Sequence, residues 1–308
     1  MTIRVLLTGA GGQLGRDLAD ALAGEVPPGG VRCSLLGPPG ARSESRVDLV
    51  AADHAALAVD DREQVLEAFD ALAPHVVVHA AAFTAVDACE SDPGRAFRVN
   101  SLGTRHVAEG ARRAGAHLVY LSTDYVFDGR SSQPYVEWDE PHPLSVYGRS
   151  KLGGEHECPP DATVVRTSWV CGARGANMVR TALRLADGDG PLRFVDDQRA
   201  NPTFTADLAA ALVTLALDRR PGVFHVTNQG TTSWYGFVRQ VLAASGHDAD
   251  RVHPISTAEL DPPRPAPRPA NSALENAALA SSGLPLLPDW QDALERLLAA
   301  LDAVPSAP

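Results

Sequence analysis

The stretch IRVLLTGAGGQLG, residues Ile3 to Gly15, decides the fold. Its first half is an apolar run of strand length, and its second half places Gly9, Gly12 and Gly15 three apart where the chain turns into a helix. Glycines suit such a junction because the turn is tight and a ligand approaches bare backbone there. The helix that follows presents unpaired amides and a partial positive charge, which together favour a pyrophosphate. The spacing alone is a weak signal. Its place in the first strand–loop–helix unit makes a dinucleotide loop a better reading than a structural turn.

Outward from that unit the alternation continues. Strand-like runs follow at 31–36, 57–59, 76–80, 117–122 and 163–167, with helical spacing over 13–23, 62–72, 94–114 and 144–157. Asp61, Ser91 and Asp92 stand where caps belong. Residues 1–168 therefore read as a Rossmann-type α/β unit, a doubly wound parallel sheet with helices on both faces. Residues 169–308 read as a smaller C-terminal substrate-binding lobe, some segments of which return to the sheet. That part carries helical patterns at 177–186, 206–218 and 234–244, a strand at 223–227 and a final amphipathic helix at 290–301. The segment GPPGARSES at 37–45 reads as an irregular excursion. The segment DPPRPAPRP at 261–269 holds five prolines, excludes helix and reads as a stiff linker.

Composition narrows the function. With 44% hydrophobic and 21% charged residues, the chain of 308 fits a globular enzyme. A net charge of −11 and no basic patch argue against nucleic acid and anionic membrane as partners. No run approaches the roughly 18 apolar residues of a membrane span, and the first residues lead into glycines without a cleavage-type site, so a cytoplasmic protein is expected. Cys33, Cys89, Cys158 and Cys171 are too scattered for a disulfide framework or a zinc site, and read as buried or idle thiols.

The most specific signal is Tyr147-Gly-Arg-Ser-Lys151. Lys151 is the only lysine among 27 basic residues, and it lies one helical turn from Tyr147, on the same face. A free tyrosine titrates at about 10, and a fixed cation beside it favours the phenolate, which suits a proton donor; the lysine can also hold a cofactor ribose. Thr123, in the segment LSTDYVFDG beyond the 117–122 strand, is a second hydroxyl at the carboxyl end of the sheet. For the cofactor, the 31–36 strand ends without an acid and is followed by Arg42 and Arg46, which reads as NADPH rather than NADH; arginines that only solvate a loop are the other reading. Asp60 and Asp61 end the 57–59 run, as contacts to the adenine edge or, for Asp61, as a helix cap.

These residues resemble the extended short-chain dehydrogenase/reductases, and within them the dTDP-4-dehydrorhamnose reductase family. The likeness spans nearly the whole chain: LLTGAGGQLG, VVHAAAFTAVDACE, the FRVN before Ser101, LSTDYVFDG, YGRSKLGGE, VRTSWVCG, DDQRANPT, FHVTNQGTTSWYGF and LPDWQDAL. LSTDYVFDG and VRTSWVCG discriminate most sharply. An arginine–proline segment before the last helix is also a family trait.

The resemblance implies Thr123, Tyr147 and Lys151 as the catalytic trio. It implies that Gly9, Gly12, Gln13, Leu14 and Gly15 cradle the pyrophosphate, that Ala80, Ala81, Ala82 and Thr84 line the cofactor, and that Asp60 lies at the adenine. On the substrate side it implies Thr123, Asp124, Tyr125, Trp169, Asn177, Gln198, Pro202 and Thr203. The implied reaction is NADPH-dependent reduction of the C4 ketone of dTDP-4-dehydro-L-rhamnose to dTDP-L-rhamnose. Tyr147 would donate the proton, Thr123 would hydrogen-bond the same oxygen, and Lys151 would lower the phenol pKa and orient the ribose. Two alternatives stand: a ketoreductase for another nucleotide 4-keto-6-deoxy sugar, and a non-catalytic NADP-binding regulatory subunit. The chain departs from the family at Arg199-Ala200-Asn201, where glycines are usual after DDQ, and at Cys171, where an aromatic is common. Some relatives bind Mg²⁺ at a dimer interface; the matching position here is Asp17 rather than Glu, so Mg²⁺ stays open, no metal ligand is assigned, and monomer and homodimer both stand.

Overall fold

Strand β1 (Thr2–Thr8) buries Val5, Leu6 and Leu7 almost completely, as a strand covered on both faces must. The structure, a computed structural model, describes residues 2–30 and 46–303. After β1 come α1 (Gln13–Leu22), β2 (Arg46–Ala52), α2 (Arg62–Leu72), β3 (Val76–His79), α3 (Val86–Ser91), α4 (Pro93–Phe97), α5 (Gly103–Ala114), β4 (His117–Thr123), α6 (Val146–Glu157) and β5 (Thr163–Thr167). Then follow β6 (Val170–Cys171), α7 (Met178–Ala186), β7 (Leu192–Val195), β8 (Arg199–Ala200), β9 (Thr203–Phe204), α8 (Thr205–Leu217), β10 (Gly222–His225), β11 (Thr232–Ser233), α9 (Trp234–Ala244), β12 (Val252–Ile255), α10 (Ala277–Ser281) and α11 (Trp290–Asp302).

Six strands form one parallel sheet in the order β10-β5-β4-β3-β1-β2. Winding reverses between β1 and β3, and in such sheets the crevice beyond the carboxyl ends at that point receives the ligand. One face packs on α1 and α8 through Leu18, Leu208, Leu212 and Leu215; the other packs Phe69 of α2 and Val107 of α5. A separate cluster joins α7, α9 and α11 around Phe237, Leu242 and Leu294. The chain of the second half thus supplies both the sixth strand, β10, and a helical group of its own. Among the described residues no helix is long and apolar enough to cross a membrane.

Several expectations need correction. The strand beside β1 is 46–52, while the expected 31–36 strand lies outside the described residues. As the edge strand, β2 is only partly buried and carries Arg46 and Asp48, the latter paired with Arg4 at 2.9 Å, so its sequence lacks a clean apolar run. Residues 57–59 form no strand: Leu57 and Val59 are buried because the loop turns them inward, with Val59 against Gly103 and its carbonyl facing His106 Nδ1 at 3.0 Å. The 94–114 helix is interrupted by a π-turn over Arg98–Leu102, and Ser91 ends α3 whereas Asp92 caps α4. The proline run is no free linker. Ala266 N–H donates to Asp87 at 3.1 Å, Arg268 grips the same carboxylate, and just beyond the run Asn271 N–H reaches the Gly129 carbonyl at 3.3 Å, so residues 261–272 form a strap laid over the carboxyl ends of β3 and β4.

Candidate active site

The loop between β1 and α1 is built on two glycines that nothing else could replace. Gly9 has φ +76°, and a Cβ there would lie 2.5 Å from Ala81 N; a Cβ on Gly15 would lie 2.2 Å from the Gly9 carbonyl oxygen. These contacts seat the loop on Ala80–Ala82, just beyond β3, and leave Gly11 and Gly12 exposed at the amide end of α1. A bare-backbone cradle at a helix N-terminus fits a pyrophosphate. Only backbone serves it from Gln13 and Leu14. The Gln13 side chain donates to the Val170 carbonyl at 2.9 Å, and Leu14 packs against the core. Thr84 is exposed beside the cleft.

Asp53, directly after β2, faces the same loop, its Cβ 3.3 Å from where a Gly11 Cβ would stand. That is the position from which an acid reads the ribose hydroxyls of a dinucleotide, and sequence reasoning missed it because it placed the strand elsewhere. Arg42 lies outside the described residues. Arg46 opens β2 beside Thr2, at the end of the sheet opposite the crevice, and so is not placed for a 2′-phosphate. Asp60 lies within 3.4 Å of Arg98, and Asp61 caps α2 through Gln64 N–H at 3.1 Å.

Thr123 ends β4 and Tyr147 stands in the first turn of α6, which Ser145 caps through Gly148 N–H at 3.1 Å. Thr123 is the hydroxyl that acts on the Tyr147 phenol, and the Tyr125 ring meets Tyr147 edge-on at 5.9 Å. Burial raises the Tyr147 pKa above the ordinary tyrosine value, and the Thr123 bond opposes the shift. Lys151 is 2% exposed; its ammonium donates to the Leu121 carbonyl at 2.5 Å and sits 4.1 Å from the Tyr120 ring, while burial pulls its pKa down to about 7. Burial thus favours the neutral phenol, and the Thr123 hydroxyl favours its anion.

Behind Lys151 one helical turn on, Glu155 accepts from Arg166 Nε at 3.0 Å, from Arg166 Nη2 at 2.7 Å and from Ser122 Oγ at 2.5 Å. This buried pair ties α6 to β4 and β5. Asn100, in the π-turn, exchanges bonds with the Phe83 backbone at 2.7 and 3.1 Å and donates to Ser150 Oγ at 2.9 Å, bracing the loop after β3 against α6. The segments FRVN and YGRSKLGGE carry these residues, yet periodicity assigns them no role.

The substrate-side expectations divide. Thr123, Asp124 and Tyr125 do gather at Tyr147, under Arg268 of the strap, whose charge acts on Tyr125 and which pairs with Asp87 at 2.7 Å. Both Asp124 oxygens are taken by protein hydroxyls, Thr123 at 3.0 Å and Ser272 at 2.5 Å. Trp169 is held at φ +41° and stacked on Trp234 with centroids 3.5 Å apart, and its carbonyl accepts from Thr203 N–H at 3.2 Å. Pro202 and Thr203 are buried, the Thr203 hydroxyl with no partner among the described residues. Asn177 and Gln198 are engaged elsewhere. Asn177 caps α7 and donates to Gln13 Oε1 at 3.1 Å, and Gln198 donates to Thr257 Oγ1 at 2.9 Å.

Among the described residues no three His, Cys, Asp or Glu side chains converge, and Asp17, fully buried, receives Thr205 Oγ1 at 2.5 Å and faces Arg174 at 3.7 Å. Cys33 lies outside the described residues; burial raises the pKa of Cys89 to about 11 and of Cys158 and Cys171 to about 12, which leaves them as inert thiols.

A family model for the RmlD substrate binding domain matches residues 39–303. A Mycobacterium tuberculosis protein named dTDP-4-dehydrorhamnose reductase is 41% identical over 306 residues, 96% of this chain and 93% of the relative. A Streptomyces antibioticus protein named a probable dTDP-4,6-dihydroxy-2-methyloxan-3-one 4-ketoreductase is 39% identical, covering 95% and 93%. The crystal structure of Bacillus anthracis dTDP-4-dehydrorhamnose reductase in complex with NADP superposes with a TM-score of 0.85 at 32% identity, covering 97% of this chain and 99% of that one.

Proposed function

The chain belongs to the RmlD family of dTDP-4-dehydrorhamnose reductases, and from that premise we propose that it reduces the C4 ketone of dTDP-4-dehydro-L-rhamnose to give dTDP-L-rhamnose. The observation that carries the reading is the Thr123–Tyr147 hydroxyl pair at the carboxyl end of β4, one strand from the glycine cradle at the winding reversal. A nicotinamide cofactor bound in that cradle supplies the hydride. The α1 amides receive its pyrophosphate, Ala80–Ala82 flank it, and Lys151 holds its ribose. Tyr147, kept protonated by burial, donates to the oxygen developing on C4, and Thr123 donates to the same oxygen. Tyr125, Trp169 and Thr203 shape the sugar side, and Arg264 and Arg268 bring positive charge to the diphosphate of a substrate that an acidic protein would otherwise repel. The lobe assigned to the sugar is the cluster of α7, α9 and α11.

NADP in the Bacillus anthracis relative supports NADPH as cofactor, and Asp53 supports the use of NADH as well, since a carboxylate bonds a free ribose hydroxyl and repels a phosphate. The test is NADPH oxidation with dTDP-4-dehydro-L-rhamnose followed by identification of the product. The Tyr147→Phe variant should bind NADPH normally and lose about 10²–10⁴-fold in kcat; unchanged turnover removes Tyr147 from the reaction. The Streptomyces antibioticus relative favours a second reading, reduction of another dTDP-linked 4-ketone, which a panel of such sugars decides by kcat/KM.

A further inference from the structure

Lys151 is the single lysine of the chain, and the proposed function sets it against the cofactor ribose. It is 2% exposed, and among the described residues no carboxylate pairs with it. Glu155, one turn along α6, is spent on Arg166 at 2.7 Å and on Ser122 at 2.5 Å. A buried ammonium without a counter-ion is costly, and desolvation pulls this one down to about 7. Two groups of β4 hold it instead. The Leu121 carbonyl accepts from Nζ at 2.5 Å, and the centroid of the Tyr120 ring lies 4.1 Å from Nζ.

Tyr120 is fully buried and fixed from two sides. Its hydroxyl donates to the Lys151 carbonyl at 3.1 Å, which Gly154 permits, since a Cβ there would strike the same oxygen. Its register partner on β3 is His79, whose ring lies 5.7 Å away. His79 is bonded to Thr8 Oγ1 at 2.7 Å and Thr104 Oγ1 at 3.2 Å, and burial pulls its pKa down to about 3, so no second cation competes for the ring. Burial also keeps the Tyr120 phenol protonated. The other titratable groups acting on the ammonium are Glu155 and Cys158, both of α6.

We propose that Tyr120 is a positioning residue of the reduction: its ring carries the Lys151 ammonium and keeps it charged at the place where the cofactor ribose docks. An aromatic face attracts a cation through its quadrupole, and the attraction grows where water is excluded. The ring thus stands in for a carboxylate without engaging the N–H donors of Nζ, two of which stay free of the Leu121 carbonyl for ribose hydroxyls.

The inference rests on the proposed reductase activity, yet its test needs no turnover. Protein made with isotopically labelled lysine gives one Cε resonance, that of Lys151. In the parent this resonance titrates near 7. Tyr120→Phe keeps the ring, and should titrate and bind NADP⁺ as the parent does. A ring-fluorinated phenylalanine at position 120 keeps that shape but draws the negative charge off the face, so the midpoint should fall by about one pH unit. NADP⁺ binding, read by calorimetry, should then weaken about fivefold at about pH 7 and return to within about twofold of the parent at about pH 5.5, where the ammonium is charged again. A role in packing alone would move neither. A fluorinated variant that titrates and binds like Tyr120→Phe overturns the proposal. So does a Tyr120→Phe midpoint that falls as far as the fluorinated one, which assigns the hold to the hydroxyl. A parent chain that oxidises no NADPH with any dTDP-4-keto sugar overturns the reductase reading, while the lysine titration judges the ring by itself.

Discussion

Replacing Glu155 by glutamine removes the charge from one side of a buried ion pair while keeping its shape. Arg166 and Glu155 are 5% and 7% exposed, joined at 2.7 and 3.0 Å, with Ser122 on the same carboxylate at 2.5 Å. The amide keeps one acceptor oxygen and turns its NH2 against the guanidinium. One charge-assisted bond worth about 1.5–3 kcal/mol becomes a donor–donor contact, and Arg166 loses its counter-charge away from water. Breaking one side of a buried pair costs about 3–5 kcal/mol. With an unfolding entropy of about 2.1 cal/mol/K per residue and 308 residues, that loss lowers Tm by about 5–8 °C, read by circular dichroism. A Glu155→Leu, Arg166→Met double variant should recover most of the loss, because a buried pair replaced as a whole by apolar side chains is close to neutral. A single variant within about 1 kcal/mol of the parent, or a double variant worse than the single, would refute the reasoning and place the stability of this region in packing instead of charge.

Gly15→Ala drives a Cβ to 2.2 Å from backbone that cannot yield, and NADPH affinity should fall at least about tenfold by fluorescence titration, whereas Gly190→Ala, with nothing within 4 Å, should leave it unchanged. Asp53→Asn removes a carboxylate that a 2′-phosphate must approach, so the ratio of kcat/KM for NADPH over NADH should rise about fivefold to tenfold; no change would separate Asp53 from the cofactor. His79 and His225 are buried and pulled down to about 3 from 6.5, so each is neutral in the folded chain and takes up a proton on unfolding below 6.5. Their contribution is present above pH 6.5 and is lost as pH falls. His225→Gln should therefore flatten the stability slope between pH 4 and 6 by about 1.4 kcal/mol per pH unit, measured by urea unfolding.

Much of the sheet is legible because its central strands are continuous apolar runs. Val76–His79 and His117–Thr123 are buried along their whole length and read as strands at once. β2 is not, since an edge strand half open to solvent tolerates Arg46, Asp48 and the alanines that follow. That single misplacement carries the cofactor reading with it, hiding Asp53 and drawing attention to Arg46. The spacing of Tyr147 and Lys151 places both on one face of α6, yet spacing says nothing of desolvation, which decides that the ammonium turns to a carbonyl and that the phenol stays neutral. Asn177 and Gln198 show the same limit: their polar ends are consumed by contacts 164 and 59 residues away in sequence, which no local pattern contains. Ser272 and Arg268 reach the site only because the strap folds back across it.

That strap also orders events in time. Thr123 and Tyr147 are synthesised more than a hundred residues before Ser272 and Arg268, an interval of about 6–24 s at ribosomal rates of about 5–20 residues per second. A growing chain therefore owns its reacting hydroxyls well before the parts that enclose them, and competence arrives with the tail end of translation instead of accumulating along the way.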